Sequence, residues 1–211
     1  MVKILILVIF AGIFVIKMDK ALLDKIERNR IEYERLLRDE NYTDVYFNPE
    51  NGGLIATHKG HKKNYPRDET YFNGLTSIDL EDECQKVLFM NGYSCIRERE
   101  NLKDANGKLV STLDTITNGI KMDIKSATKK AINYRNMLDD KNNQLANYNN
   151  RPDTVKSDSV ILYFHDTSFY DRQKVIDGVK SLNKLLAAKN KTNHIKEIIC
   201  VVSDGRVEHF D

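Results

Sequence analysis

Two predicted strands, residues 159–164 and 195–202, constrain the fold of this chain more than any other feature, because each contains five consecutive apolar residues, 160–164 and 198–202. A strand with one face in water alternates apolar and polar residues, so an apolar run without alternation predicts a strand buried on both faces. Between the runs, residues 170–188 repeat apolar side chains at the spacing of one helix face. This strand–helix–strand order predicts parallel strands and an α/β fold.

Shorter patterns extend this core into a mixed β-sheet flanked by helices. The other predicted elements of residues 78–211 are a helix at 79–91, strands at 93–97, 109–117 and 120–124, a helix at 127–148 and a final strand at 206–210. Gly92 after the first of these helices is a typical C-cap, and Asn118–Gly119 is a strong hairpin signal. Residues 78–211 therefore read as one α/β domain.

The first residues, 1–17, differ from the rest. A mostly apolar run at 4–16 lies between Lys3 and Lys17 and is shorter than the about 20 residues that span a bilayer as a helix. The run fits the apolar part of a secretory signal, although no small-x-small cleavage site follows it. It could be an uncleaved signal or short anchor in contact with a membrane, a delivery segment, or a mis-assigned start with Met18 as the true initiator. We favour the last two.

Residues 18–77 form a second region, predicted as an N-terminal helix and short β extension. Residues 19–39 have the periodicity of an amphipathic helix, and the turn-forming stretch 48–53 leads into a short strand at 54–57. A loop follows in which His58 and His61 lie among lysines. We expect this loop to contact a nucleic-acid backbone or to lie in solvent.

Composition narrows the possible functions. A hydrophobic fraction of 41% can support a core, whereas the net charge of +2 provides no strong overall field for nucleic acid. Any such binding requires a local basic patch. Cys84, Cys95 and Cys200 have no metal-ligand spacing, so we expect reduced, buried thiols in a reducing compartment.

Asp114 and Asp123 are the strongest candidates for chemistry. If Asn118–Gly119 occupies a two-residue turn, antiparallel pairing puts Asp114 opposite Asp123. Directly opposed residues have Cβ atoms about 4.5–5.5 Å apart, where like charges destabilise the pair unless a positive charge lies between them. Carboxylates suit Mg²⁺ and Mn²⁺, so this register predicts a metal held by both aspartates.

Lys125 follows Asp123 by two residues and therefore falls on the same face of the strand. A lysine beside a metal and a phosphate can stabilise negative charge or help to deprotonate the attacking water. Because Asp-x-Lys is also common on exposed strands, a solvent-facing pair in a non-enzymatic module is the alternative.

The order of these features resembles the PD-(D/E)xK nuclease toxins, which form the C-terminal tips of contact-dependent inhibition and other polymorphic toxin systems. The resemblance covers residues 78–202: a helix with Glu83 before Gly92–Tyr93, Asp114 after a strand, and Asp123 and Lys125 on the next. It departs in two respects, since no proline precedes Asp114 and Glu81 competes with Glu83 for the helical glutamate.

This resemblance implies a restriction-endonuclease-like fold and a metal-dependent endonuclease with Glu83, Asp114, Asp123 and Lys125 at the catalytic centre. It implies Mg²⁺, with Mn²⁺ or Zn²⁺ as alternatives, and phosphodiester hydrolysis in RNA (tRNA) rather than DNA. Toxins of this kind act in the cytoplasm and have cognate immunity proteins, so both are expectations for this chain.

A second resemblance concerns residues 48–61, which are similar to C-terminal regions of phage minor head (MuF-like) proteins that precede toxin-like domains. It implies a phage-derived origin.

Three further sets of residues are candidates for contact with nucleic acid. Lys129 and Lys130 follow the catalytic strand, and Gln144 on the next helix is expected to face the site. His58 and His61 could also act as acid and base in a metal-independent ribonuclease, the main enzymatic alternative.

Overall fold

The computed structural model describes residues 5–9, 12–16, 19–61, 74–100, 102–128 and 133–211, with the backbone alone for residues 5–16. The helices in these ranges are α1 (Lys20–Arg38), α2 (Ser77–Met90), α3 (Tyr134–Asn149) and α4 (Arg172–Ala188). The strands are β1 (Leu5–Ile9), β2 (Gly12–Ile16), β3 (Tyr42–Phe47), β4 (Leu54–His58), β5 (Ser94–Arg97), β6 (Thr115–Thr117), β7 (Ile120–Ala127), β8 (Ser159–Phe164), β9 (Glu197–Val202) and β10 (Val207–Phe210).

Eight of these strands form one mixed sheet in the order β10-β9-β8-β7-β6-β5-β4-β3. Neighbours are parallel at β4–β5, β7–β8 and β8–β9 and antiparallel elsewhere. The predicted α/β class, a mixed sheet flanked by helices, is confirmed. β1 and β2 pair only with each other. Within the described ranges, no helix has the length and apolarity needed to cross a membrane.

The helices divide the sheet into two packed faces. On one face, α2 buries Leu80, Cys84 and Leu88 against β5, β7, β8 and β9. On the other, α3 and α4 form the largest core with the opposite residues of β8 and β9. In β7, Met122 and Ile124 belong to the α2 core, so alternation directs Asp123 and Lys125 to the face that α3 covers.

α1 packs on β3 and β4 with Leu36 completely buried. Since β4 pairs in parallel with β5, the sheet continues across the boundary that the sequence predicts between residues 77 and 78. The predicted extension therefore contributes two strands to the same sheet.

Three elements differ from the sequence-based expectations. The predicted strand 109–117 is a strand only at Thr115–Thr117, apart from an isolated bridge between Lys103 and Leu109. β7 continues to Ala127, where a helix was expected to begin, because its end pairs with the end of β8. β3 was not predicted. The cysteines are free and buried, as expected.

Candidate functional site

A tight turn brings Asp114 and Asp123 together. Asn118 and Gly119 both have positive φ, 48° and 85°, as a two-residue hairpin of primed type requires. Thr117 pairs with Ile120 and Thr115 with Met122, so the register is the predicted one. Asp114 lies just before β6, level with Asp123.

The two carboxyl groups are nearly buried. Asp123 is 1% exposed and Asp114 9%. Asp114 Oδ2 accepts a hydrogen bond from the Ile124 backbone N–H at 2.9 Å, which places the Asp114 carboxyl group beside β7 next to Asp123. Burial, together with the charge of Asp114, raises the pKa of Asp123 well above its usual range.

Two side chains of α3 also bind Asp123. The Lys141 ammonium donates to Asp123 Oδ2 and forms a buried ion pair with it, which partly opposes the rise of the Asp123 pKa. Gln144 Nε2 donates to Asp123 Oδ1 at 2.6 Å, and Gln144 Oε1 accepts from Lys141 Nζ at 2.8 Å. The expectation that Gln144 faces the site is confirmed.

The sequence did not predict that Lys141 pairs with Asp123. Lys141 supplies a positive charge between the aspartates and the helix, where a metal alone was expected. Its spacing of three from Gln144 places both on one face of α3, and this spacing was the available signal.

Lys125 is partly buried on the same face of β7 as Asp123. In the described part of the chain its ammonium makes no ion pair. It can therefore interact with a bound anion at lower cost than Lys141, which is already paired.

Glu83 does not lie with the aspartates. It projects from α2, where its Oε2 accepts from the Tyr163 hydroxyl at 2.9 Å and contacts His165 Nδ1 at 2.6 Å. The sheet separates this group from Asp123, because α2 and α3 cover opposite faces. We therefore leave Glu83 out of the candidate metal site.

The histidine loop also differs from expectation. His61 is completely buried rather than presented to solvent, with Nε2 3.9 Å from Glu81 and 3.8 Å from Glu100. His58 is partly buried, and its Nδ1 accepts from the Gly60 backbone N–H at 2.8 Å. Burial and acidic neighbours do not suit a pair of histidines that grips a nucleic-acid backbone.

Lys129 and Lys130, predicted to bind phosphates, lie outside the described residues. Within the described ranges, no cluster of three or more His, Cys, Asp or Glu side chains could hold a metal. Among the described residues, a cation at this site would therefore have two carboxylate ligands, Asp114 and Asp123.

Comparison with known proteins yields one structural similarity. A CdiA-CT/CdiI toxin and immunity complex from Burkholderia pseudomallei is similar to 69% of this chain, over 96% of its own, with a TM-score of 0.37 and 11% identity. No protein-family model matches the chain, and no curated protein does.

Proposed function

We propose that the Asp114–Asp123 pair is the centre of a metal-dependent nuclease that hydrolyses phosphodiester bonds. The observation that carries this proposal is the pair of nearly buried carboxyl groups that lie level with each other on neighbouring strands, one with a strongly raised pKa. Such an arrangement is unfavourable for the fold alone, since desolvation and like charge both oppose ionisation. The same arrangement favours the binding of a cation, because a positive ion offsets the like charges of the two carboxyl groups.

The donors fit a hard divalent ion. Mg²⁺ is commonly bound through one or two carboxylates while it keeps several waters and contacts substrate phosphates. Asp114 and Asp123 supply two such groups, and Gln144 Oε1 is a further oxygen next to them. The donor set favours Mg²⁺ or Mn²⁺ over Zn²⁺, which prefers histidine and cysteine ligands. When bound, the ion supplies charge stabilisation at a phosphoryl oxygen and activation of water at neutral pH.

The chain's own residues have distinct parts in this proposal. Asp114 and Asp123 hold the cation, and Gln144 orients Asp123 through its amide N–H. Lys141 forms an ion pair with Asp123 and so partly neutralises the two carboxyl groups. Lys125, on the same face of β7, stabilises the negative charge that develops on the phosphate.

For the substrate we favour RNA, in particular tRNA, over DNA, on the resemblance of residues 78–202 to PD-(D/E)xK toxins. The same resemblance supports a toxin that acts in the cytoplasm and is neutralised by a cognate immunity protein. Of the four residues that carry this resemblance, Glu83 lies on the other face of the sheet, which leaves Asp114, Asp123 and Lys125 for the proposed site.

Cleavage assays with matched variants test the proposal. Purified protein is incubated with tRNA and with plasmid DNA in Mg²⁺ or in EDTA, and products are separated on gels. We expect cleavage in Mg²⁺, none in EDTA, and a loss of at least about a hundredfold in Asp123→Asn and Lys125→Met. Asp140→Asn, an exposed aspartate of the same helix as Lys141, should retain activity.

Activity that survives EDTA and is lost in His61→Ala would contradict the proposal and favour a metal-independent ribonuclease. Protein that cleaves neither nucleic acid and does not inhibit growth on induced expression would instead favour a non-enzymatic module.

A further inference from the structure

Arg97, the last residue of β5, has a completely buried guanidinium group that is only partly hydrogen-bonded. Its side chain is 0% exposed, and Nη1 pairs with Asp82 of α2. Among the residues that the structure describes, Nε and Nη2 contact no acceptor. Arginine does not lose its proton in proteins, so both N–H groups are charged donors without a partner. Buried donors in this state are costly and point to an acceptor outside the described residues.

The two open donors have a specific shape. Nε and Nη2 lie along one side of the planar guanidinium and form two parallel N–H groups, the arrangement that matches two oxygens of a phosphate or carboxylate. We propose that the Nε–Nη2 side of Arg97 binds a phosphate group. Lysine could not replace it, because an ammonium has no planar pair of donors.

This phosphate site is separate from the carboxylate centre. Arg97 pairs with Thr115, and its side chain reaches Asp82 on α2. Asp123 binds α3, on the other face of the sheet. Even so, the two sites are at the same level, since the Glu98 backbone N–H donates to the Asp114 carbonyl at 3.0 Å. Phosphate binding at Arg97 therefore does not require the metal-dependent activity.

Among the described residues, Glu81 is a nearby carboxylate that could compete with phosphate for Arg97. It precedes Asp82 on α2 and is 5% exposed. Burial raises the pKa of Cys84 and the pKa of Cys95. The charge of Glu81 raises both pKa values further, whereas the charge of Arg97 lowers them. Glu81 and Arg97 therefore lie in the same region. Glu81 Oε2, however, lies 3.9 Å from His61 Nε2, which directs the carboxylate towards the histidine.

Thermal unfolding in inorganic phosphate tests the proposal. Full-length protein in EDTA is titrated with millimolar phosphate while chloride keeps the ionic strength constant, and the Tm is followed. We expect a saturable rise for wild type and about tenfold weaker apparent affinity for Arg97→Lys. Arg35→Lys, on the exposed side of α1, should respond like wild type.

Two further variants keep the test decisive. Asp82→Asn removes the negative charge paired with Arg97 Nη1, so the variant should bind phosphate more tightly even if Arg97→Lys does not fold. Asp123→Asn should show the same phosphate-dependent rise in Tm as wild type. The result at Arg97 would therefore stand even if the proposed metal centre were wrong.

The source of the phosphate is decided by competition with a short single-stranded RNA. Displacement of inorganic phosphate by RNA identifies a nucleic-acid phosphate, and lack of displacement identifies a free anion; either result supports the site. The proposal is overturned if wild type shows no saturable response or if Arg97→Lys responds equally. The proposal is also overturned if phosphate binds only to Glu81→Gln, since the Glu81 carboxylate would then be the acceptor of Arg97 Nε and Nη2 in wild type.

Discussion

Asp123 is almost completely buried, and Asp114 lies level with it across the turn between β6 and β7. Burial and the charge of Asp114 raise the pKa of Asp123, while Lys141 acts in the opposite direction. Two ionised carboxylates in this position repel each other. The protonation of this pair therefore decides how strongly it destabilises the cation-free protein.

Asp123→Asn should become more stable relative to wild type as the pH rises. The folded pKa of Asp123 lies above its unfolded value of about 3.9, so the folded state holds an extra proton between the two values. Wild-type stability therefore falls as the pH rises through that window, whereas asparagine has no proton to lose. Urea unfolding in EDTA across the window measures the difference. A difference independent of pH would contradict the assignment.

Lys141→Met should cost about 3 kcal/mol near neutral pH, since removal of one partner leaves a buried charge uncompensated. Methionine keeps an unbranched apolar chain of similar length, so the variant tests the ammonium. The cost should shrink in acid, where the aspartates take up protons, and most of it should disappear in Lys141→Met/Asp123→Asn. If the double variant loses as much stability as Lys141→Met alone, Lys141 acts through packing instead.

The position of Asp114 level with Asp123 could be predicted because it depends on a local hairpin with a recognisable turn. The part played by Lys141 could not, because it depends on how α3 docks on the sheet. For the same reason Glu83 was misplaced: its position on a helix was clear, but the face of the sheet that this helix covers was not.

At the scale of elements, β8, β9 and α4 were the most predictable, since their apolar patterns are dense and match one period. β3 was missed because its alternation is interrupted. Asp44 has a positive φ of 52°, and the pairing with β4 shifts between Thr43 and Tyr46. Residues 109–114 have the composition of a strand but lack a neighbour that pairs with them along their length.

The packing of α4 on α3 gives a prediction at this scale. A Cβ on Gly178 would lie 2.7 Å from the Cβ of Tyr134, a contact that requires the helices to separate. Gly178→Ala should therefore destabilise the protein by about 1–3 kcal/mol. Ser181→Ala, an exposed position of α4, should change stability by less than about 0.5 kcal/mol. Chemical unfolding of both variants measures the effect, and equal stability would show that α3 and α4 adjust without strain.

At the scale of the molecule, the sheet brings Arg97 and Asp123 to nearly the same level. Arg97 pairs with Thr115, and Thr115 pairs with Met122, the residue before Asp123. The helices separate the two side chains by face, with Asp123 towards α3 and Arg97 towards α2.

The claim that Asp114 and Asp123 bind a divalent cation is tested most directly by calorimetry. Mn²⁺ is titrated into wild type, Asp123→Asn and Asp140→Asn. We expect one binding event in wild type, unchanged in Asp140→Asn and weakened more than about tenfold in Asp123→Asn, a difference of at least 1.4 kcal/mol. Equal affinity in wild type and Asp123→Asn would contradict the account, since any cation would then bind elsewhere.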